Sequence, residues 1–339
     1  MKWLRFLLFP FGFLYLVVTS IRNFLYDQNI LKSYVAPVPV IAVGNLSTGG
    51  TGKSPQIEYL IRLLSDTHNI AALSRGYKRE SQGFVLADKS TSVEEVGDEP
   101  FQFFSKFPAI RVAVDANRIN GIKQLLSLED SPEVILLDDA YQHRKVRASL
   151  YILLTTYSDL YSDDFILPVG NLRESKSGAK RAKIVVVTKC PPTLSENEKQ
   201  TIKNKLALKD HQKLFFATIG YDHQVFSKET QLNIQDVKRT EKVMLAGIAK
   251  PEPFFNFLKN EKDILLKYPD HHNFSDIEIE AIKTKSGSKI IVTTEKDYVR
   301  IKDKFDTHQL FYLPIKTRFL GEEKIFQELI RQAIKESNL

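Results

Sequence analysis

Residues 44–55 have the composition and spacing of a phosphate-binding loop: they read Gly-Asn-Leu-Ser-Thr-Gly-Gly-Thr-Gly-Lys-Ser-Pro. Main-chain N–H groups of such a glycine-rich turn can surround a phosphate, Lys53 can place a positive charge on the β- and γ-phosphates, and the Ser54 hydroxyl can bind Mg²⁺. The strict pattern G-x-x-x-x-G-K-[ST] requires glycine at position 47, where this chain has serine. The predicted nucleotide contacts are Ser47, Thr48, Gly49, Gly50, Thr51, Gly52, Lys53 and Ser54.

Two pairs of acidic residues could complete this site. Asp138 and Asp139 follow an apolar run, and acids at such a strand end can bind Mg²⁺ directly or through water. Asp98 and Glu99 form a second acidic pair. They could cap a helix and fill its first turn, or they could act as a general base for an alcohol and as a metal-side acid. Spacing alone leaves both interpretations open.

The histidines and the nucleotide specificity give weaker signals. His271 and His272 are adjacent, and a histidine pair on a surface loop is more often solvated than catalytic. Residues 187–191, Val-Thr-Lys-Cys-Pro, resemble the start of a T-K-x-D guanine clamp, but Pro191 replaces the aspartate that would pair with guanine. The sequence therefore favours ATP over GTP.

The elements that must position these residues follow a regular alternation of β-branched runs and helical patterns. The run 38–43 precedes the loop as a buried strand, and the spacing of apolar residues over 57–64 predicts an amphipathic helix behind it. Further strands are predicted at 70–73, 111–114, 134–137, 151–154 and 184–188, and then at 243–247, 289–293 and 310–313. This alternation is typical of a mostly parallel sheet covered by helices.

The chain length and the break between the two sets of strands predict two lobes. The predicted organisation is an N-terminal membrane-associated segment, a P-loop core, a two-stranded hinge, a second α/β lobe and an amphipathic helix, at 1–32, 33–215, 216–236, 237–320 and 321–339. The fold class is therefore predicted as α/β: a P-loop NTPase-like, mostly parallel sheet flanked by helices, a second smaller α/β lobe and an N-terminal apolar helix.

Composition restricts the partners and the compartment. The 339 residues include 48 Lys and Arg against 41 Asp and Glu, a formal net charge of +7 that favours an anionic partner such as a nucleotide, a nucleic acid or an acidic lipid surface. The single cysteine, Cys190, excludes an internal disulfide. Residues 6–18 lack charge but are shorter than the ~20 apolar residues of a spanning helix, which favours a segment in the membrane interface over a buried core helix or a signal peptide.

Taken together, the motifs of this chain resemble the tetraacyldisaccharide 4′-kinases of lipid A biosynthesis. The resemblance covers essentially the whole chain in a fixed order, from the apolar N-terminus through 44–55, 74–77 (Ser-Arg-Gly-Tyr), 97–100 (Gly-Asp-Glu-Pro), 138–143 (Asp-Asp-Ala-Tyr-Gln-His), 167–174 (Leu-Pro-Val-Gly-Asn-Leu-Arg-Glu), 270–271 (Asp-His) and 294–297 (Thr-Glu-Lys-Asp). The family tolerates a hydroxyl residue at the position of Ser47. Ala140 departs from the glycine expected after the paired aspartates.

This resemblance implies ATP- and Mg²⁺-dependent phosphorylation of the 4′-hydroxyl of a lipid-linked glucosamine disaccharide 1-phosphate. It implies a peripheral or monotopic enzyme at the cytoplasmic face of the inner membrane, with no nucleic acid and no obligate protein partner. The implied catalytic residues are Asp98 as general base, His271 hydrogen-bonded to it, and Lys53, Asp138 and Asp139. Ser54, Glu99 and Asp138 would hold the metal. The residues expected to bind substrate phosphates are Arg75, Arg118 and Arg173.

Two other classes of protein fit part of the pattern. A membrane-associated partitioning or regulatory ATPase also has a K-G-G-x-G-K-[ST] loop, but Thr48 stands here in place of its first lysine. A non-catalytic nucleotide-binding membrane protein would bind ATP and leave it intact. Transfer of label from ATP to a lipid acceptor separates the kinase from both.

Overall fold

The computed structural model describes residues 3–270 and 272–337. The helices are α1 Phe9–Asp27, α2 Lys53–Leu64, α3 Val93–Val96, α4 Asp98–Lys106, α5 Arg118–Leu126, α6 Glu196–Leu206, α7 Ile234–Arg239, α8 Glu252–Leu258, α9 Asp276–Ser286, α10 Glu295–Ile301 and α11 Glu323–Ser337. The strands are β1 Val40–Asn45, β2 Ile70–Ser74, β3 Val85–Leu86, β4 Arg111–Val114, β5 Val134–Asp138, β6 Leu150–Thr156, β7 Ile184–Thr188, β8 Lys213–Tyr221, β9 Gln224–Phe226, β10 Gln231–Asn233, β11 Val243–Ala246, β12 Ile264–Lys267, β13 Ile291–Thr294, β14 Leu310–Leu313 and β15 Ile315–Phe319.

The chain forms two compact units. The larger contains Met1–Ile219 and Thr317–Leu339, and the smaller contains Gly220–Lys316. The sequence prediction set the C-terminal segment 321–339 apart, but α11 belongs to the larger unit. Its buried face, with Phe326, Ile330 and Ile334, joins the same apolar cluster as α2. The predicted second lobe, 237–320, also differs from the smaller unit, which already contains β9 and β10.

The larger sheet is mostly parallel and places the phosphate loop at its centre. Its described strands follow the order β15-β8-β7-β6-β1-β5-β2-β4-β3. Parallel pairs join β8, β7, β6, β1, β5, β2 and β4 in turn, and β3 is antiparallel to β4. Because β1 lies between β5 and β6, the loop that leaves β1 emerges between the carboxyl ends of two neighbouring strands, where α/β proteins bind ligands.

Apolar strands buried on both faces explain this arrangement. All six residues of β1 and all five of β5 are buried, as expected for the central strands of a sheet that helices cover on both sides. On one face, α2 packs Ile57, Leu60 and Ile61 against the sheet, as the spacing of these residues predicts. The rigid centre of the sheet therefore fixes both ends of the phosphate loop.

Within the smaller unit, the described strands form a second sheet in the order β10-β9-β14-β13-β11-β12. The strands β12, β11, β13 and β14 are parallel, and β9 is antiparallel to both β14 and β10. Strand β12 is absent from the sequence prediction because its apolar run, Ile-Leu-Leu between Asp263 and Lys267, is too short to stand out.

Helix α1 exposes apolar residues and buries small and polar ones. Its buried residues are Gly12, Thr19 and Asn23, and Gly12 packs so closely that a Cβ there would lie 3.0 Å from Cγ2 of Val169. An ordinary surface helix has the opposite arrangement. Within the described part of the chain, every helix is too short or too polar to cross a bilayer. The exposed apolar residues are Phe9, Phe11, Phe13, Leu14, Val18, Ile21 and Phe24.

Candidate active site

The phosphate loop runs from Asn45 to the first turn of α2. Gly49 and Gly52 have φ angles of 114° and 86°, a left-handed conformation that glycine adopts without strain. Thr188, the last residue of β7, and Lys189, which follows it, hold the loop from the side. The Thr188 hydroxyl donates to the Thr51 carbonyl at 2.7 Å, and the Lys189 ammonium donates to the Gly50 carbonyl. The N-terminus of α2 begins at Lys53, so its unpaired N–H groups and dipole favour an anion there.

The other end of the predicted loop pairs with the segment that follows residue 170. Ser47 forms an isolated antiparallel bridge with Leu172, and the Thr48 N–H donates to the Asn171 carbonyl at 2.8 Å. The Arg173 N–H donates to the Leu46 carbonyl at 2.7 Å. The phosphate loop is thus held on one side by 171–173 and on the other by Thr188 and Lys189.

Asp139 lies between two cations, Lys53 and Arg173. Its carboxylate is 3.7 Å from the Lys53 ammonium and accepts from Nη1 of Arg173, with both oxygens at 3.1 Å. Asp139 has a φ of 46°, a conformation that aspartate tolerates better than most residues. Because the left-handed residue of this turn is Asp139, Ala140 needs no glycine-like backbone. The buried Ala140 instead fits against the sheet, where its N–H points to the Val43 carbonyl at 3.4 Å.

Three oxygen-bearing side chains meet beside Lys53 in a set that fits Mg²⁺. The Ser54 hydroxyl donates to Oε1 of Glu99 at 2.8 Å. Asp138 stands opposite Val43 in the sheet register and is buried, and its Oδ1 has no hydrogen-bond partner among the described residues. Burial, together with the charges of Glu99 and Asp139, raises the pKa of Asp138 to about 7. A buried carboxylate oxygen of this kind calls for a cation.

The described residues contain no group of three or more His, Cys, Asp or Glu side chains arranged to hold a metal alone. Mg²⁺ at nucleotide sites normally uses one or two carboxylates together with phosphate oxygens and water. Ser54, Glu99 and Asp138 supply such a partial set. The predicted metal-side residues are therefore close enough in space to serve together with a bound nucleotide.

Asp98 and Glu99 are the first two residues of α4, so they fill its first turn as the helix interpretation predicts, but neither of them is its cap. The cap is Gly97, with a φ of 89°, and a Cβ there would lie 3.0 Å from the Tyr77 carbonyl oxygen. Gly97 thus lets the acids begin a helix directly beside the turn at 76–77. The helical position is compatible with a chemical role, because the side chain of Glu99 reaches Ser54 from it.

The three arginines predicted to bind substrate phosphates have different surroundings. Arg75 is exposed, and Arg173 holds Asp139. Arg118 is buried, and its guanidinium donates to the main-chain carbonyls of Asp115 at 2.6 Å and Asp138 at 3.4 Å. Burial lowers its pKa to about 10, so Arg118 remains a cation at neutral pH beside the Asp138 strand end.

Of the motifs that follow residue 219, only 294–297 is described in full, and it lies in the smaller unit. His271 falls outside the described residues, and its role stays a prediction. The motif 294–297 begins α10, where Asp297 accepts from the Thr294 hydroxyl at 2.7 Å and from the Gly247 N–H at 2.9 Å. Position 247 leaves no room for a side chain beside this carboxylate, since a Cβ on Gly247 would lie 2.8 Å from Oδ1 of Asp297. This motif therefore has a packing role that the sequence did not reveal.

Three further residues of the site escaped sequence reasoning. Lys189 contacts the phosphate loop, but in the sequence it appears only as part of an incomplete T-K-x-D guanine-binding pattern. Gln142 and Glu174 lie in the motifs 138–143 and 167–174, which assign them no role, yet the half-buried Gln142 donates to the fully buried Glu174 at 3.0 Å. A buried glutamate is rare unless it is paired, but its burial is visible only once the fold is known.

A central β1 that leads through a glycine-rich loop into α2, with acids at the end of the adjacent β5, defines the class of α/β proteins that bind nucleotide phosphates at a P-loop. A family model described as tetraacyldisaccharide-1-P 4′-kinase matches residues 4–335. The chain belongs to this family. The resemblance found in the sequence motifs is thereby confirmed.

Similar proteins match over nearly the full length. A tetraacyldisaccharide 4′-kinase of Flavobacterium johnsoniae is 60% identical over 337 residues, which is 99% of each chain. That of Bacteroides thetaiotaomicron is 44% identical over 318 residues, 88% of this chain and 83% of the relative. The solved structure of LpxK from Aquifex aeolicus in complex with ATP has a TM-score of 0.80 and 32% identity, and it covers 98% of this chain and 99% of that chain. The predicted α/β fold with a large, mostly parallel sheet is confirmed.

Proposed function

We propose that this chain is a kinase that uses ATP and Mg²⁺ to phosphorylate the 4′-hydroxyl of a tetraacyl glucosamine disaccharide 1-phosphate. The observation that carries the proposal is the family match over residues 4–335, in a chain that keeps Lys53 and Ser54 beside strand-end acids. In the reaction the 4′-oxygen attacks the γ-phosphorus, the bond to the β-phosphate oxygen breaks, ADP leaves, and the hydroxyl proton is taken up by a base.

The residues near the loop divide this work among them. Lys53 and the N-terminus of α2 neutralise charge on the phosphoryl oxygens, and Asp139 fixes Lys53 through its 3.7 Å contact. Ser54, Glu99 and Asp138 would hold Mg²⁺, which would supply further neutralisation of phosphate charge. Asp98 is the proposed general base. A carboxylate suffices for this role because the proton moves late in phosphoryl transfer.

The cationic side chains are proposed to bind the acceptor. Arg173 presents its guanidinium beside Asp139, and Arg75 is exposed on the loop that follows β2. Guanidinium groups bind phosphate through paired N–H donors, so these residues suit the 1-phosphate or the γ-phosphate. His271 is proposed to orient the general base, as the family resemblance implies.

Helix α1 is proposed to attach the enzyme peripherally to the cytoplasmic face of the inner membrane. Its outward residues are apolar over successive turns, as in helices that lie in the interface between headgroups and acyl chains. A lipid acceptor and ATP can meet only where a membrane surface borders a compartment that contains ATP. This placement brings the acyl chains of the acceptor to the same surface as α1. No nucleic acid and no obligate protein partner are required by this proposal.

The decisive experiment is incubation of the full-length protein with γ-labelled ATP, Mg²⁺ and a tetraacyl disaccharide 1-phosphate. The proposal expects label on the lipid at the 4′ position, located by mass spectrometry of the product. A matched acceptor whose 4′-hydroxyl is replaced by hydrogen should stay unlabelled. Release of labelled inorganic phosphate with no labelled lipid would instead indicate an ATPase of the partitioning or regulatory type, and the proposal would be wrong.

A further inference from the structure

A buried chain of hydrogen bonds connects α1 to the beginning of the phosphate loop. Nδ2 of Asn23, on α1, donates to Oε2 of Glu174 at 2.6 Å. Glu174 is completely buried, and its charge is paired with Arg181 through contacts of 2.8 and 2.9 Å. Oε1 of Glu174 accepts from Nε2 of Gln142 at 3.0 Å. One glutamate therefore joins the helix to the turn that follows β5.

The same glutamine continues the chain into the loop. Nε2 of Gln142 also donates to the Asn45 carbonyl at 2.8 Å, at the last residue of β1. The Asn45 side chain spans the loop from inside: its Nδ2 donates to Oγ1 of Thr51 at 3.0 Å and to the Gly49 carbonyl at 3.4 Å. Oε1 of Gln142 faces Nη1 of Arg173 at 3.5 Å, and Arg173 holds Asp139.

Asn23 is an unusual residue for its position in the helix. Asparagine has low helix propensity, and burying an amide is unfavourable unless it is hydrogen-bonded. Membrane attachment needs only the apolar residues on the exposed side of α1, and an apolar residue at position 23 would serve that role equally well. A buried amide 2.6 Å from a buried carboxylate instead fixes the rotation and depth of α1 against Glu174.

We propose that Asn23, Glu174 and Gln142 are positioning residues that link the seating of α1 to the shape of the ATP loop. The proposal rests on the proposed function only in that the loop binds ATP and α1 binds lipid. When α1 is held at the membrane, the chain keeps the Asn45 carbonyl and side chain in place, and the loop is preformed for phosphate. By reciprocity, nucleotide in the loop must favour the seated helix and strengthen membrane binding by the same factor.

The first test measures ATP affinity by calorimetry on the full chain, in detergent, without the lipid acceptor. Asn23→Leu, which is close in size, should raise the Kd for Mg²⁺-ATP at least about fivefold, a typical size for such a link. The matched control is Thr19→Val. Thr19 lies one turn earlier on the same buried face, but its hydroxyl donates to the Tyr15 and Leu16 carbonyls within α1. The control should leave the Kd unchanged.

Gln142→Met provides a second variant that changes no residue of α1 and keeps the one bond of Gln142 to that helix, from Arg22 to the Gln142 main-chain carbonyl at 3.5 Å. A misfolded Asn23 variant would therefore not end the test. Gln142→Met should weaken ATP binding as well. The Kd of the double variant should be only slightly higher than that of the single variant that binds ATP less tightly, because both changes interrupt the same chain of hydrogen bonds. A Kd within twofold of wild type in a folded Asn23→Leu protein, or fully multiplicative effects in the double variant, would overturn the proposal.

The second test measures something that a purely structural role would not change. Binding to vesicles of phosphatidylethanolamine and phosphatidylglycerol is compared with and without Mg²⁺-ATP. Wild type should bind vesicles more tightly with nucleotide, and Asn23→Leu should lose this difference while it still binds. Nucleotide-independent vesicle binding by wild type would refute the link. Because no acceptor is present, a protein that passes this test but fails to label lipid refutes the proposed function and leaves the positioning role intact.

Discussion

Replacing Lys53 by alanine is the most direct test of the phosphate loop. Lys53 is proposed to neutralise charge on the γ-phosphate, and its ammonium lies 3.7 Å from Asp139 with the side chain only 12% exposed. Loss of one preorganised contact to developing charge typically lowers turnover ~10²- to 10³-fold. At about 1.36 kcal/mol per tenfold change, that corresponds to roughly 2.7–4 kcal/mol of transition-state stabilisation.

The Lys53→Ala change should have little effect on the free energy of unfolding. Asp139 is a third exposed and keeps Arg173 at 3.1 Å, so loss of its contact with Lys53 should cost less than about 1 kcal/mol of the free energy of unfolding. The assay is label transfer from ATP to the disaccharide, with kcat and KM determined beside a thermal melt. Lys205→Ala is the control, since Lys205 forms an exposed surface pair with Asp163. A Lys53→Ala enzyme within about threefold of wild-type kcat would show that another loop binds ATP.

Three further results are expected. Serine at Phe11, Leu14 and Val18, on the exposed face of α1, should weaken vesicle binding by at least about tenfold, since each side chain loses burial in the interface. Serine at Ile277 of the smaller unit, which is still more exposed at 84%, should not. Gly97→Ala should lower kcat because the added Cβ would lie 3.0 Å from the Tyr77 carbonyl oxygen. Gly83 also has a left-handed backbone, but a Cβ there would meet no atom within 4 Å, so Gly83→Ala should cost about 1–2 kcal/mol of stability and leave kcat unchanged. Glu99→Gln should raise the Mg²⁺ concentration needed for half-maximal activity, and an unchanged Mg²⁺ titration would exclude Glu99 from the metal site.

The sequence predicts those features that depend on local patterns. The strands at 111–114, 184–188 and 310–313 lie where their β-branched runs predict them, and α2 follows the loop as its apolar spacing requires. The loop itself is recognisable because its glycines and Lys53 must be adjacent in sequence to surround one phosphate. Such features need no knowledge of distant residues.

Other features depend on contacts between residues far apart in the sequence. Glu174 and Asn23 are separated by 151 positions, and no spacing rule connects them. The apolar run at 6–18 predicts that α1 meets an apolar environment, but it does not reveal that the buried side is the polar one. The boundaries of the two units are not predictable from the sequence for a similar reason, because α11, at the C-terminal end, packs into the apolar cluster that contains Ile41. Tertiary contacts of this kind become visible only in the folded chain.

The balance of charge at the loop also explains why these acids belong with a cation. The cluster holds three cations, Lys53, Arg173 and Arg118, and three carboxylates, Asp139, Asp138 and Glu99. Burial and this crowding of like charges raise the pKa of Asp138 to about 7, so the cluster resists full ionisation by itself. The phosphates of ATP would add more negative charge to the same place. A bound divalent ion would offset the charge that a polyphosphate adds beside Asp138 and Glu99, so their proximity favours a metal-dependent phosphoryl transfer over simple binding of an anion.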